Sequence, residues 1–323
     1  MKSIVIYFVM LLVPVYSYAF YDGVVTHPQH YIRTPDYMFT LIQNLNVNSI
    51  RIDYPWNQVE KAPKVYTIPN ENIETIVLNS LHNNITPVLI LGYGNPIYNI
   101  GRPKNDDEIE KFASYAAWVS KHFKNKKIIF EVWNEWPYSK DMHETASADS
   151  AKNYTKLVLK VSKAIKKENE EAIVIAGSAN IINYNWMTLL IKNNILDAVD
   201  GIAIHPYSIW DNGFLTYKRN VQNIINFEHY FSLTYNNGKP IPIYITEIGL
   251  PLTGKSKYTE HDRAAFILGY YDLLKNLDYI KGVWWYNLIS DNTGDSKEDS
   301  YGLYTDSFEL KESGSTFKKI TSH

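Results

Sequence analysis

The chain has 323 residues, a net charge of −2 and lysines and arginines scattered along its length, so it carries no electrostatic footprint for nucleic acid. It contains no cysteine, which excludes a disulfide framework, thiolate catalysis, a cysteine-ligated zinc site and a lipid-anchoring cysteine together.

Lys2, the apolar run 4–15 and Ser17-Tyr18-Ala19 follow one another as the charged, apolar and small-residue regions of a secretory signal peptide. Cleavage is expected after Ala19, leaving residues 1–19 as the leader and 20–323 as a secreted or periplasmic chain. The apolar run is well short of the roughly 20 residues that span a bilayer, and no other stretch is a candidate, so no integral membrane segment is expected after cleavage. The mature chain is long enough for one large domain and short for two independent enzymatic ones.

Apolar periodicity then alternates between strand and helix. Residues 21–27 read as a strand, 35–45 as a helix, 49–54 as a strand, 71–82 as a helix and 87–91 as a strand opening into a Gly/Asn/Pro loop at 92–96. A long helix over 106–123, which Asp106 or Asp107 would cap, leads to a strand at 128–133. Helices at 147–167, 185–192, 221–235 and 259–277 alternate with strands at 172–177, 199–205, 241–247 and 282–288, and a weak helix at 315–320 closes the chain. Eight such βα units without internal self-similarity predict an α/β fold of one domain, a closed (β/α)8 TIM barrel. A doubly wound open sheet is the competitor, but the chain has neither G-x-G-x-x-G after the first strand nor a G-x-x-x-x-G-K-[ST] loop.

Two strands end on a glutamate. Residues 128–137, IIFEVWNEWP, run apolar to Trp133 and stop on Asn134 and Glu135, and 241–247, IPIYITE, stop on Glu247. The carboxyl ends of parallel strands carry the chemistry of such folds, and a pair of carboxylates suits glycosidic hydrolysis, which needs a proton donor and a carboxylate that attacks carbon or activates water. At about 5 Å and an effective dielectric of about 20 their coupling is roughly 3 kcal/mol, enough to hold one proton on the pair near neutral pH. Rim glutamates held in salt bridges are the plainer alternative. An inverting pair would stand roughly 6.5–9.5 Å apart. His27 with His30 lacks the further ligands of a zinc site, and with no G-x-S-x-G an esterase elbow is absent, so neither metal nor cofactor is expected.

WNE at 133–135 with TEIG at 246–249 resembles the clan of retaining (β/α)8 glycoside hydrolases that includes families 5 and 39. The likeness extends to RIDYPWNQVEKAP at 51–63, HPY at 205–207, WWYNL at 284–288 and SYGLYTDSFELK at 300–311, so it covers most of the mature chain. It implies Glu135 as acid/base and Glu247 as nucleophile. Asn134 would hydrogen-bond the sugar 2-hydroxyl, Arg51 would hold Glu247 ionised and lower its pKa, Tyr207 would contact Glu247 and His205 the sugar. Trp136 stands where the clan usually has the proline of N-E-P, which bears on the leaving-group side.

Among 26 Tyr and 8 Trp, aromatic faces suit sugar rings, though packing uses most of them. Trp285 is the expected stacking platform, with Trp284 the alternative because a strand turns only one of them inward. His27, at the end of the first strand, is a further sugar-hydroxyl candidate, and Trp56, Trp136, Tyr93, Tyr98 and Trp210 are candidates for outer subsites. The expected function is an exported retaining glycosidase acting as a monomer on a poly- or oligosaccharide. A catalytically silent carbohydrate-binding barrel at the cell surface is the alternative.

Overall fold

The computed structural model describes residues 20–31, 33–138, 145–208, 216–253, 257–291, 294 and 297–322, so the expected leader at 1–19 and Trp210 lie outside the described residues. Eight parallel strands close into a barrel: β1 Tyr21–Val25, β2 Ser49–Asp53, β3 Thr86–Leu91, β4 Ile129–Val132, β5 Ile173–Ala176, β6 Gly201–Ile204, β7 Ile243–Ile248 and β8 Ile280–Trp285, with β8 pairing back to β1. Around them lie the helices α1 Pro35–Asn44, α2 Glu71–His82, α3 Asp106–His122, α4 Ala148–Glu168, α5 Tyr184–Lys192, α6 Tyr217–Tyr235, α7 Glu260–Leu274 and α8 Glu312–Thr321. This is the (β/α)8 barrel that the alternation predicts. No helix among the described residues is long and apolar enough to cross a membrane.

The helices start where a side chain can satisfy their orphan N–H groups. Asn105, rather than Asp106 or Asp107, caps α3 by accepting from the Glu108 N–H, because the acidic residues already lie in the first turn, where they favour the helix dipole. Ser147 caps α4, and Thr259 with Asp262 forms a capping box on α7. A small hairpin, Glu60–Ala62 with Val65–Tyr66, follows β2 and has no counterpart in the expected elements.

Strand alternation makes two cores. Outward residues pack on the helices, while Tyr21, Val25, Val88, Ile129, Ile175, Ala203, Tyr244 and Trp284 fill the barrel interior. The Trp284 indole stacks between Tyr21 and Tyr244 and donates to Ser49 Oγ at 2.9 Å. Gly23 makes room for it, since a Cβ there would lie 2.2 Å from the indole. Near its carboxyl end β7 holds one residue more than its neighbour: Val283 pairs with Ile245 but Trp285 with Ile248. That bulge turns both Thr246 and Glu247 toward the barrel mouth.

Candidate active site

Beyond Val132 the chain leaves β4 in a tight turn in which Trp133 (φ 68°) and Glu135 (φ 48°) both take the left-handed conformation. That region costs a non-glycine residue on the order of 1–3 kcal/mol, so surrounding contacts must impose it. They are visible: the Glu135 N–H donates to the buried Ser178 Oγ at 3.1 Å, and the Trp133 ring sits against Tyr93, Phe112 and Trp136. Trp136 is 2% exposed, packs on Tyr154 and donates to Ser150 Oγ, so the residue replacing the usual proline is an anchor for the turn.

Glu135 points across the mouth to Glu247. Both reach the same imidazole nitrogen, His205 Nδ1, at 2.8 Å from Glu135 Oε1 and 3.2 Å from Glu247 Oε2. The three groups offer atoms within 4.8 Å of one another. Arg51 on β2 spreads its guanidinium over three acceptors: Nε to Glu131 Oε2 at 2.7 Å, Nη1 to Glu247 Oε2 at 3.2 Å and Nη2 to Asn134 Oδ1 at 2.7 Å. Tyr207 Oη donates to Glu247 Oε1 at 3.4 Å. Seven residues separated widely in the chain thus meet at one end of the barrel, among them Glu135, Glu247, Arg51, Asn134, His205 and Tyr207 from the sequence reading.

The electrostatics follow from burial in a cluster of mixed charge. Burial disfavours a charged imidazole, but Glu247, Glu131 and Glu135 outweigh it and push His205 up to about 9. Burial likewise opposes ionisation of Glu131, yet Arg51 and His205 hold its carboxyl down at about 2. Glu247 goes the other way. Burial and the charge of Glu135 raise its pKa despite His205 and Arg51, so the lowering expected from Arg51 alone is overturned by desolvation. The triad's spacing would also admit a metal ion, which would have to displace the His205 proton.

His205 differs from its expected sugar contact. It is 0% exposed, and Nε2 lies 3.0 Å from Thr246 Oγ1, so both ring nitrogens are taken by protein groups beneath the carboxylates. Trp285 is also not a platform: it is fully buried and packs on Phe266 of α7. Trp284 does turn inward but lies deep in the barrel, and the aromatic that reaches the mouth with the same parity is Tyr286, edge-on to His27 and Tyr301. Trp56 is likewise core, packed against Phe112 and Tyr115, whereas half-buried Tyr98 donates to Glu60. Tyr93 is exposed at the mouth and donates to Asp53 Oδ1 at 3.2 Å.

His27 stands beside this cluster, Nδ1 3.4 Å from Asp53 Oδ2, and its buried Nε2 has no hydrogen-bond partner among the described residues. Burial opposes its proton, but Asp53, Asp291 and Glu247 raise its pKa. The sequence reading missed Tyr286, Thr246, Ser178 and Glu131 as residues of the site. A signal for Tyr286 was available, since it follows Trp284 by two residues.

Comparison with known proteins bears on the barrel. The chain resembles a family 39 glycoside hydrolase from the gut symbiont Bacteroides cellulosilyticus WH2 (TM-score 0.76, 23% identity, 93% of this chain and 63% of that one). It also resembles an exo-β-1,4-mannosidase from Opitutaceae bacterium strain TAV5 (0.67, 17%, 93% and 58%) and a broad-specificity endoglucanase of family 5 subfamily 4 from Clostridium acetobutylicum (0.66, 17%, 90% and 90%). The chain thus spans less than two thirds of the first two, and these likenesses speak for the fold. No curated protein matches it by sequence. The profile of the family described as Cellulase (glycosyl hydrolase family 5) matches residues 18–290, most of the chain, and with the barrel and its facing glutamates in view the chain belongs to that family.

Proposed function

We propose that this chain is an exported glycosidase that cleaves a β-linked or stereochemically equivalent bond in a poly- or oligosaccharide with retention, Glu247 serving as nucleophile and Glu135 as acid/base. One observation carries the reading: an oxygen of Glu135 and one of Glu247 lie within 4.8 Å of each other. Retaining pairs stand about 5–5.5 Å apart, and an inverting pair needs roughly 6.5–9.5 Å to seat a water.

The partners support this division of roles. Arg51 and Tyr207 both donate to Glu247, which orients an ionised carboxylate for attack on the anomeric carbon and offsets the burial that raises its pKa. Glu135, on the turn outside the strand, gives its proton to the leaving oxygen, then takes one from the water that opens the glycosyl-enzyme bond. Asn134 spends its carbonyl on Arg51, which turns its amide N–H groups to the sugar 2-hydroxyl. His27 Nε2 is placed for another hydroxyl, and Tyr286 supplies the aromatic face that Trp285 does not. The leader-like sequence supports export, and the name of the neighbouring exo-β-1,4-mannosidase supports a β linkage.

The test is a panel of β-linked glycans, with reducing ends counted and the first-formed anomer read by proton NMR. Release with retained configuration is expected. Inverted product removes the double displacement, and binding without release makes the chain a carbohydrate-binding barrel.

A further inference from the structure

Glu131 stands within β4, on the inward face where Ile129 two residues earlier is apolar, and it is 0% exposed. Burying a lone carboxylate is expensive unless it is paired and hydrogen-bonded. Its two oxygens meet three strands. Oε2 accepts from Arg51 Nε on β2 at 2.7 Å, and Oε1 accepts from Thr246 Oγ1 on β7 at 3.1 Å and lies 3.8 Å from His205 Nε2, just past β6. None of these contacts involves the open mouth.

We propose that Glu131 is the positioning residue of the site: one buried carboxylate that fixes Arg51, Thr246 and His205 as a unit and through them holds Glu135 and Glu247 as a working pair. The geometry gives a directed chain. The Thr246 hydroxyl spends its proton on Glu131, so its oxygen is left to accept from His205 Nε2–H at 3.0 Å. With Nε2 protonated and the ring cationic, Nδ1–H is a donor for the two facing glutamates at 2.8 and 3.2 Å. Through Arg51, Glu131 also aims Nη1 at Glu247 and Nη2 at Asn134. A neutral group in its place would leave a cationic guanidinium and a cationic imidazole facing each other, with Arg51 Nη2 3.5 Å from His205 Nε2.

The charged and titratable groups around His205 are Arg51 from β2, Glu131 and Glu135 from β4 and its turn, and Glu247 from β7; Tyr154 of α4 lies behind Glu131. Removing the Glu131 charge removes one of the interactions that keep the imidazole protonated, and a neutral ring no longer screens Glu135 from Glu247. The alkaline limb of the pH profile of hydrolysis should then move down.

This inference rests on the glycosidase reading of the pair, and its test separates the two. Histidine-labelled protein and its Glu131→Gln variant are titrated by NMR, with the His205 signal among the nine histidines identified by its loss in His205→Asn. The wild-type ring should titrate near 9 and the variant about one pH unit or more lower. On a glycan that the wild type cleaves, Glu131→Gln should lose about 100-fold in kcat with KM changed less than about threefold, and the alkaline limb should move down with the imidazole. If a folded Glu131→Gln leaves the His205 titration where it was, the inference is wrong, whatever the activity. If the wild type cleaves nothing, the glycosidase assignment of the pair fails while the titration still decides the role of Glu131. If Glu131→Gln does not fold, Thr246→Val, which removes the hydroxyl link alone, should lower the His205 titration by a smaller amount, and an unchanged value there overturns the proposal.

Discussion

The lower and upper halves of the barrel interior are built from the same strands two residues apart, and they solve opposite problems. Ile129 and Glu131 on β4, Ala203 and His205 at β6, Tyr244 and Thr246 on β7, and Trp284 and Tyr286 at β8 are each an inward pair, apolar or aromatic below and polar or phenolic above. Below, stability comes from apolar area removed from water and from an indole that fills the barrel axis. Above, buried charges are compensated by one another and by a few neutral hydrogen-bonding groups, a costly arrangement that pre-aligns donors and acceptors for chemistry. A change in the lower layer should therefore alter stability and spare the chemistry. One in the upper layer should strike the chemistry first and touch stability only through the charges it changes.

The largest expected effect breaks the upper layer. Glu247→Ala should lower kcat/KM by at least about 10⁴-fold, about 5 kcal/mol, on every substrate while the thermal midpoint moves by only a few degrees. Glu135→Ala should fail differently. It should still form the glycosyl-enzyme from a substrate with an activated leaving group, and azide should intercept that species to give a product of retained configuration. Azide rescue of Glu247→Ala with retention, and none of Glu135→Ala, would exchange the two roles.

In the lower layer Trp284→Ala should cost about 3–5 kcal/mol in urea unfolding, because it leaves a cavity where the indole stood, and should leave KM of the surviving folded fraction unchanged. A raised KM would mean that the two layers are not separable.

The pH dependence of stability sharpens the contrast. The folded-state pKa of His205 is raised above its unfolded value, so its stabilisation is fully present below about 6.5 and lost as pH rises through about 9, an amount on the order of 3 kcal/mol. Glu131, held down at about 2, contributes stability above about 4.5 that is lost as pH falls toward 2. Unfolding free energy should thus peak between about 4.5 and 6.5 and fall on the alkaline side. A flat response from 6.5 to 9 would contradict a cationic His205. The smallest effect belongs to Tyr286→Ala, which should raise KM about fivefold, the worth of an aromatic contact of about 1 kcal/mol, and leave the fold intact.

The sequence made the barrel legible because apolar strands buried on both faces alternate with amphipathic helices. It exposed Glu135 and Glu247 because a carboxylate is out of place at the tip of such a strand. Arg51, Asn134 and Tyr207 came with them through the resemblance, and the structure brings each to the same mouth. Trp285 went wrong because alternation tells which residues share a face but not which face is inside. That parity is set by pairing with β1, where Trp284 and Gly23 meet. His205 was taken for a sugar contact because no sequence pattern tells depth, and Glu131 was passed over because a charge inside a strand reads as an ion pair until its other partners are seen.

The bulge near the end of β7 bears on how this protein can be altered. Because Thr246 and Glu247 are adjacent in the chain yet both face the mouth, the address of Glu247 is set by a count of residues along the strand as much as by their identity. Deleting Thr246 would iron the strand flat and leave one mouth-facing side chain where two now serve. Point substitutions explore the surroundings of the pair, whereas insertions and deletions here change which residue stands at the working position. Evolution can tune this site letter by letter, but only with the reading frame of the strand left untouched.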